Sequence, residues 1–253
     1  MTSPYTMAGV TLNLNSHGVG CFNVVNRGTT AANDLGPHGG VPEFEGFLER
    51  TNGLRRFMDV GACVGAFSLM FTRHPDAIAW ALEPSPWAYP VLLEHCEANP
   101  RHRIVPLNLF AGETSGKEIP CARDWLHVIS DGGKGDEWAK QYMGKSINGD
   151  RHTVHETRID DLTVVGGIDC MKIDVEGWEC PVLRGAEQTL RKDKPLIFLE
   201  CHLGTLAGNG ESRDSLFNLV SDLGYRMERH DGVRLKDLHQ DGEACQRVVC
   251  VPK

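Results

Sequence analysis

The chain has 253 residues, of which 41% are hydrophobic and 24% charged, and its formal net charge is −8. A chain of this length buries a large core, and these fractions are close to globular averages, which excludes collagen, coiled coils and wholesale disorder. The negative charge argues against a nucleic-acid partner, because phosphate backbones are bound by clustered Lys and Arg. The longest apolar run, residues 77–82, is far shorter than the ~20 residues that a membrane helix needs. We therefore expect a soluble protein with neither a nucleic-acid nor a membrane partner.

The nine cysteines are an odd number and form no CxxC pair. Cys63, Cys170 and Cys201 lie in apolar strand-like or turn segments. We interpret the cysteines as reduced, mostly buried thiols, as is typical of cytosolic proteins. The first ten residues also lack the basic and long apolar regions of a secretion signal. The sequence therefore predicts a cytoplasmic location.

Along the chain, a weakly patterned start gives way to a regular alternation of elements. Residues 1–40 are rich in Gly, Asn and Thr and are predicted to be irregular, with one candidate strand at residues 20–25. Apolar residues at helical spacing behind Pro42 predict a short helix leading toward Arg55. Continuous apolar runs separated by helix-like stretches then indicate parallel β-α-β units in a sheet covered on both faces. The predicted strands cover residues 56–60, 77–82, 103–109, 168–175, 195–201 and 247–251.

The segments between these strands carry further local predictions. Ser85 and Pro86 have the pattern of a helix start, but Pro90 would clash inside that helix, so we predict that it begins near Pro90. Residues 107–121 are predicted to form a hairpin that turns at residues 113–116. One helix after Glu176 is predicted from four apolar residues spaced by four, which are Trp178, Val182, Ala186 and Leu190.

The polar, Gly-rich segment 123–151 is predicted to be an inserted loop. The predicted organisation is therefore an irregular and helical extension at residues 1–50, followed by one α/β domain at residues 51–253 that contains this insertion. The fold class is α/β with a doubly wound sheet.

A glycine turn follows the first predicted strand of the sheet. Gly61 and Gly65 come after Asp59 with GxxxG spacing, which differs from the GxGxxG of nicotinamide-binding turns and from a P-loop. Glycine lets the backbone approach a ligand closely, and the N-terminus of the next helix suits a carboxylate. An ordinary strand-to-helix turn is the alternative.

Glu83 ends the next predicted strand, where doubly wound folds place an acidic side chain against the hydroxyls of a ribose. Two hydroxyls donating to one carboxylate make strong, charge-assisted hydrogen bonds. The ligand should therefore have a ribose and a carboxylate and need no phosphate cradle. S-adenosylmethionine has this description. The two features together favour this cofactor.

Polar side chains also end two later strands. The period of two along a strand puts Asp174 with Glu176, and Glu200 with His202, on a common side. If these strands are neighbours, the four groups converge at the carboxyl edge of the sheet. A carboxylate with a histidine can deprotonate a hydroxyl, or can bind a divalent metal that lowers the pKa of the hydroxyl. The alternative is structural: Asp174 and Glu176 cap a helix and Glu200 binds loop amides.

The ordered motifs between residues 55 and 202 resemble the FkbM-type family of S-adenosylmethionine-dependent methyltransferases. They are MDVGACVGAFS, ALEPSP, LNLFAGETSG, IDDL, MKIDVEGWECPVLRGAEQTL and IFLECH. DxGxxxG is common to many methyltransferases, whereas KIDVEGWE with VLRGAE and a later LECH is specific. The resemblance implies a Rossmann-like class I methyltransferase sheet of seven strands, mostly parallel, with the last strand antiparallel.

The resemblance also implies roles for individual residues. Asp59, Gly61 and Gly65 would line the methionine side of the cofactor, Glu83 would hold its ribose, and residues 108–110 would approach its adenine. Asp174 and Glu176 match the acidic pair of the family beside the transferable methyl group. Two departures are Cys63, where members often carry Asn, and the length of segment 123–151. The predicted cofactor-binding residues are Asp59, Gly61, Ala62, Gly65, Glu83, Pro84, Asn108, Leu109, Phe110 and Asp174.

The activity implied is O-methylation of a hydroxyl on a small molecule such as a sugar or polyketide. The predicted catalytic residues are His202, Glu200, Asp174 and Glu176. We choose His202 as the base, because an imidazole titrates near working pH, with Glu200 orienting it or Asp174 replacing it, and with His155 as a second candidate.

Two alternatives stay open. In the first, Asp174, Glu176, Glu200 and His202 hold a divalent metal ion, since carboxylate oxygens suit hard cations. In the second, the protein is a non-catalytic cofactor-binding or scaffold protein that retains the methyltransferase fold. The acceptor molecule and the oligomeric state are left open.

Overall fold

The computed structural model describes residues 4–7, 10–13, 41–85, 88–122, 151–238 and 245–253. The strand predicted at residues 20–25 lies outside the described residues. So does the loop predicted at residues 123–151, except for Arg151, which begins a strand. The chain divides into two units, Met1–Asn108 and Leu109–Lys253. The division into an extension and one domain at residue 50 stays a prediction.

The first unit contains three parallel strands with helices between them. β3, β4 and β5 pair in that order, with Arg56 opposite Ile78 and Ala79 opposite Ile104. β1 and β2 pair antiparallel, which corrects the prediction that residues 1–40 are irregular, because Thr-, Val- and Leu-containing segments stand among the glycines and asparagines there. The elements are β1 (Pro4–Met7), β2 (Val10–Asn13), α1 (Val41–Arg50), β3 (Arg56–Val60), α2 (Ala66–Phe71), β4 (Ile78–Leu82), α3 (Ala88–Ala98) and β5 (Ile104–Leu107).

Aromatic residues pack α1 against β3 and α2. Phe47 is fully buried, and its ring lies 5.4 Å from that of Phe57 and 5.0 Å from that of Phe67. Phe57 stacks on Phe71 at 4.9 Å. Each buried aromatic side chain contributes a large apolar area to the core. The helix that the spacing behind Pro42 predicted is confirmed.

The start of α3 is capped as the Ser-Pro pattern suggests. The Ala88 N–H donates to Ser85 Oγ at 3.2 Å, and the Tyr89 N–H donates to Ser85 O at 2.9 Å. The helix begins at Ala88, so the predicted start near Pro90 was wrong. Pro90 is the third helical residue, in the first turn, where a missing N–H costs little.

The second unit contributes the rest of the main sheet and a smaller sheet. β9 and β10 are parallel, and β12 is antiparallel to both β10 and β11, in the order β9, β10, β12, β11. Its elements are β6 (Phe110–Ala111), β7 (Glu118–Ala122), β8 (Arg151–Thr157), a 3-10 helix (Ile159–Asp161), β9 (Cys170–Ile173), α4 (Glu179–Gly185), α5 (Glu187–Asp193), β10 (Leu196–Cys201), a second 3-10 helix (Leu206–Asn209), α6 (Arg213–Asp222), β11 (Tyr225–Glu228) and β12 (Gln246–Pro252).

The predicted fold class is confirmed. β3, β4, β5, β9, β10, β11 and β12 belong to one seven-stranded sheet. Among these strands β12, the last along the chain, runs antiparallel to its neighbours, as the class I methyltransferase arrangement requires. The alternation of strands with helices accounts for this α/β architecture.

The hairpin predicted at residues 107–121 was wrong. β6 pairs parallel with β8 and β7 pairs antiparallel with β8, so that β8 lies between them. The buried Glu156 of β8 accepts the backbone N–H groups of Glu113 and Thr114, and so holds the turn that joins β6 to β7. The sequence of β8 has one apolar residue, Val154, among six polar ones, so no strand pattern is visible in it.

The single helix predicted after Glu176 is two short helices, α4 and α5. The predicted face is buried, since Val182, Ala186 and Leu190 are 0% exposed. The Asp160 carboxylate accepts the N–H groups of Gln188 at 3.0 Å and Thr189 at 2.9 Å, and so caps a new helix start. The period of the apolar residues runs through the break, because both helices pack on the same core.

Two further predictions concern the location of the protein. Cys63 is disulfide-bonded; this corrects the expectation that it is a reduced thiol, since spacing in the sequence does not report distant pairs. Disulfides are rare in cytosolic proteins, so this argument for a cytoplasmic location is lost and the location stays a prediction. Within the described ranges, no helix has the length and apolar character to cross a membrane.

Candidate active site

The glycine turn between β3 and α2 is wound tightly. Gly61 and Gly65 have φ of 80° and Cys63 has φ of 52°, a region that glycine adopts without steric cost. The N–H groups of Gly61 and Ala62 donate to Leu82 O at 3.0 and 2.9 Å. A Cβ at position 65 would lie 2.5 Å from Leu92 Cδ1. The local conformation alone therefore accounts for both glycines.

Asp59 lies at the end of β3 beneath this turn. Its side chain is buried, and its Oδ2 accepts the Ser68 hydroxyl of α2 at 2.7 Å. This hydrogen bond fixes the start of α2 against the strand. Its predicted role beside the methionine part of the cofactor stays a prediction.

Glu83 connects three loops at the carboxyl ends of β3, β4 and β5. It is 4% exposed, and its two oxygens accept the N–H groups of Cys63 at 2.7 Å and Ser85 at 2.8 Å. The Asn108 side chain donates to the Glu83 carbonyl at 2.8 Å. A carboxylate oxygen can accept more than one hydrogen bond. The Glu83 carboxylate is thus held in place at the carboxyl ends of these strands.

The remaining predicted cofactor residues differ in their surroundings. Pro84 is half-buried and Asn108 is exposed. In the second unit, Leu109 is half-buried, and the buried Phe110 ring lies 5.7 Å from that of Trp178. Phe110 therefore already has an apolar partner, and its predicted contact with adenine stays a prediction.

The second unit brings the four predicted catalytic residues together, with His202 at their centre. His202 Nε2 lies 3.3 Å from Glu176 Oε2, 3.8 Å from Asp174 Oδ1 and 3.8 Å from Glu200 Oε1. His202 Nδ1 lies 2.8 Å from Glu179 Oε1. We call these five residues the acid–histidine cluster.

The strand register produces this convergence. Ile173 of β9 lies opposite Leu199 of β10, so that Asp174 and Glu200 follow at the same edge of the sheet. Beyond Asp174 the chain turns at Glu176, whose φ is 54°. Parallel strands that end together place their following side chains in one region.

Two cations hold members of the cluster. The buried Lys172 Nζ lies 2.7 Å from Asp174 Oδ2. Arg247 of β12 donates through Nη2 to Glu200 Oε1 at 2.7 Å and through Nε to Glu200 Oε2 at 3.2 Å. This fork and the Cys245 thiol, at 3.1 Å, engage Glu200 instead of the predicted pairing with His202.

The sequence predictions missed Lys172, Glu179 and Arg247. Lys172 and Glu179 stand inside the specific KIDVEGWE string, so their position in the motif was a signal. Arg247 stands at the start of an apolar strand, where an unpaired charge would be costly. That pattern indicates a buried acidic partner without identifying it.

Burial and neighbouring charges shift the pKa values of the cluster members in different directions. Burial opposes ionisation of Asp174, yet Lys172 and His202 lower its pKa to about 2. Burial, helped by nearby carboxylates, raises the pKa of Glu176 to about 7. Burial lowers the pKa of His202, but the Glu179 hydrogen bond and the carboxylates outweigh it and raise that pKa to about 10. At neutral pH His202 is therefore a cation, and Glu176 is the group poised to exchange a proton.

The cluster also offers atoms of the kind that bind metal ions. Asp174, Glu176 and His202 present ligand atoms within 4.8 Å of one another, as do Glu200, His202 and Cys245. Carboxylate and imidazole donors suit divalent cations. An imidazole that carries a proton on Nε2 cannot coordinate, so a metal ion at this position requires His202 to lose that proton.

His155, the second candidate for the base, is exposed on β8 and pairs in register with Glu118 of β7. Among the described residues it has no contact that places it in the acid–histidine cluster.

Comparison with known proteins gives a family. The family model described as the methyltransferase FkbM domain matches residues 59–227, which is more than half of the chain. A methyltransferase of Sordaria araneosa, sdnD, is 27% identical over 158 residues, covering 52% of this chain and 60% of that protein. The chain thus spans about 60% of the length of this curated relative.

Two solved structures are similar at low identity. A methyltransferase FkbM from Methylobacillus flagellatus has a TM-score of 0.47 and 18% identity, covering 81% of this chain and 47% of that one. A precorrin-6y C5,15-methyltransferase from Geobacter metallireducens has a TM-score of 0.48 and 13% identity, covering 94% and 98%. Because the family model matches more than half of the chain, the chain belongs to the FkbM methyltransferase domain family.

Proposed function

We propose that this chain is an S-adenosylmethionine-dependent methyltransferase that methylates a hydroxyl group of a small molecule. The observation that carries the proposal is the acid–histidine cluster, where a methyltransferase-family chain gathers acid–base groups at the carboxyl ends of parallel strands. Such groups are needed because an alcohol loses its proton as it attacks a methyl carbon.

The first unit fits the cofactor. Glu83 is a buried carboxylate fixed at the carboxyl ends of β3, β4 and β5, and a carboxylate is a strong acceptor for the two hydroxyls of a ribose. The glycine turn, residues 61–65, lets the backbone approach a ligand. When bound, S-adenosylmethionine supplies an electrophilic methyl group on a sulfonium. Gly61, Ala62 and Gly65 would hold its amino-acid end and Glu83 its ribose.

Glu176 and His202 act together on the proton. Glu176, with a pKa of about 7, takes up the proton of the acceptor hydroxyl. His202 lies 3.3 Å away, and its charge stabilises the ionised form of Glu176 before transfer. Asp174, whose pKa is about 2, is a weak base and serves to balance charge. Acid–base groups of this kind contribute roughly 10²–10⁴-fold to a rate.

The charges of the cluster favour a neutral acceptor. Lys172, His202 and Arg247 oppose the carboxylates that surround them, so little net charge remains to attract an ionic substrate. The side chains of Asp174 and Glu176 are 26% and 31% exposed and offer hydrogen-bond acceptors to a polyhydroxylated molecule. A sugar or a polyketide fits this description.

The test has two stages. Calorimetry with S-adenosylhomocysteine is expected to detect binding, and a screen of neutral hydroxylated acceptors for methyl uptake is expected to find turnover that survives a chelator. Absence of binding to folded protein refutes the cofactor assignment. Binding without methyl transfer to any sugar or polyketide would favour a non-catalytic cofactor-binding protein, and loss of turnover with chelator would favour the metal-assisted variant.

A further inference from the structure

Glu179 is the most deeply buried member of the acid–histidine cluster. It is 0% exposed, whereas the side chains of Asp174 and Glu176 are 26% and 31% exposed. A buried carboxylate is costly unless it is hydrogen-bonded. Its position out of reach of a substrate suggests that it acts through a neighbour and not on the acceptor itself.

The hydrogen bonds of Glu179 fix which nitrogen of His202 faces it. Glu179 Oε1 accepts the Gly177 N–H at 3.0 Å and lies 2.8 Å from His202 Nδ1. A carboxylate oxygen is an acceptor, so Nδ1 must be the donor. Nε2 is then the nitrogen that faces Glu176, at 3.3 Å.

Close packing and hydrogen bonds also fix the backbone around Glu179 and His202. A Cβ at Gly177 would collide with the Thr205 hydroxyl, and that hydroxyl donates to the His202 carbonyl at 2.9 Å. The Asn209 side chain donates to the Gly177 carbonyl at 2.7 Å. These contacts hold the loop before α4 against the turn after β10, so the Glu179–His202 hydrogen bond joins two segments that are already fixed.

Charged groups face the imidazole from every neighbouring segment. They come from β9 and the loop after it, α4, β10 and β12. On the Nε2 side, Glu176 is nearest at 3.3 Å, and Asp174 and Glu200 both lie at 3.8 Å, with Glu200 also paired to Arg247. On the Nδ1 side Glu179 is the carboxylate in hydrogen-bond contact. The groups are Lys172, Asp174, Glu176, Glu179, Glu200 and Arg247.

Resting on the proposed function, we propose that Glu179 is a positioning residue for methyl transfer: it accepts the Nδ1 hydrogen of His202 and thereby turns Nε2 toward Glu176. The bond replaces the orienting contact that the sequence predicted from Glu200. Removing it leaves the His202 ring free to rotate, so that Nε2 is no longer held toward Glu176. The residue that takes the proton, Glu176, then loses a fixed partner.

Two substitutions separate orientation from charge. Among the described residues, Glu179 Oε2 has no hydrogen-bond partner, so Glu179→Gln can place its NH2 group there and keep its oxygen on His202 Nδ1. Glu179→Ala removes the acceptor altogether. We expect kcat to fall roughly 100-fold in the Ala variant and less than about 10-fold in the Gln variant, within the 10²–10⁴-fold that acid–base catalysis contributes. KM for the acceptor should hardly change.

A spectroscopic measurement tests the hydrogen bond without turnover. In protein labelled with 15N-histidine, the wild type should show a downfield Nδ1–H signal that disappears in His202→Asn. The signal should persist in Glu179→Gln and be lost in Glu179→Ala. The exposed His155 in the same sample is the control, since its ring N–H should exchange too fast to be seen.

The outcomes are distinct. Absence of the Nδ1–H signal in wild-type protein, or full kcat in folded Glu179→Ala, overturns the positioning role. Equal losses of kcat in the Gln and Ala variants also overturn it, because they would make charge and not orientation the cause. If Glu179→Ala does not fold, the wild-type and Gln spectra still decide. A correct signal in a protein that binds no S-adenosylhomocysteine refutes the proposed function while the hydrogen bond stands.

Discussion

Replacing Glu83 by Gln tests whether this buried carboxylate holds the cofactor. Its oxygens accept the N–H groups of Cys63 and Ser85 at 2.7 and 2.8 Å. Gln has the same shape but one oxygen, so one of the two backbone N–H groups must face an NH2 group. A hydrogen bond to a charged group contributes about 1.5–3 kcal/mol. We therefore expect the free energy of unfolding, measured by urea denaturation, to fall by about 2 kcal/mol.

Cofactor affinity should fall as well, because the ribose hydroxyls lose a charged acceptor. The same range of about 1.5–3 kcal/mol corresponds to a roughly 10- to 150-fold weaker Kd. Calorimetry with S-adenosylhomocysteine, at a temperature where both proteins are folded, measures this loss. Glu97→Gln is the matched control, since it removes the same charge from the exposed side of α3 in the same unit and should change neither quantity.

Two results would refute this reasoning. If folded Glu83→Gln binds S-adenosylhomocysteine as tightly as the wild type, the carboxylate only braces the loops around it. If Glu97→Gln weakens binding as much as Glu83→Gln does, the effect comes from net charge and not from the Glu83 contact.

Three further substitutions have calculable outcomes. Asp160→Ala removes the cap of α5 and should lower the free energy of unfolding by about 1–2 kcal/mol. The exposed Asp237→Ala should change it by less than about 0.5 kcal/mol, and equal urea midpoints for the two variants would contradict this. Gly65→Ala forces a Cβ into the left-handed region and should cost about 1–2 kcal/mol, with weaker cofactor binding; unchanged stability would show that the turn relaxes. Burial raises the folded-state pKa of Glu176 from 4.5 to about 7, so ionising it destabilises the fold as pH rises between these values. Glu176→Gln should therefore be more stable than the wild type at pH 8 and equally stable below about pH 4.5. Thermal melts at both pH values measure this, and a stability difference that is the same at both would contradict the raised pKa of Glu176.

The main sheet and the polar side chains at its strand ends were largely predictable because both depend on local pattern. The apolar runs at residues 56–60 and 195–201 match β3 and β10 closely, since a strand buried on both faces must be apolar at successive positions. The period of two placed Glu200 and His202 at the strand end, and the observed convergence around His202 follows from the parallel register.

Predictions failed where a distant contact decides the local structure. β8 was missed because its polar residues are paired on both sides by β6 and β7, which no local pattern reports. The break between α4 and α5 depends on Asp160, far earlier in the chain. The disulfide at Cys63 belongs to the same class.

The order of apolar and polar residues was enough to establish an α/β sheet, the glycine turn, and the acidic and histidine side chains that end its strands, because burial and strand period act within a few residues. The partners of those side chains were decided only by the tertiary structure. Arg247 holds Glu200 and Glu179 holds His202. Burial raises the pKa of Glu176 to about 7, and the Glu179 hydrogen bond and nearby carboxylates raise that of His202 to about 10. Charge interactions depend on distances in space, and the chain brings these groups together only when it folds.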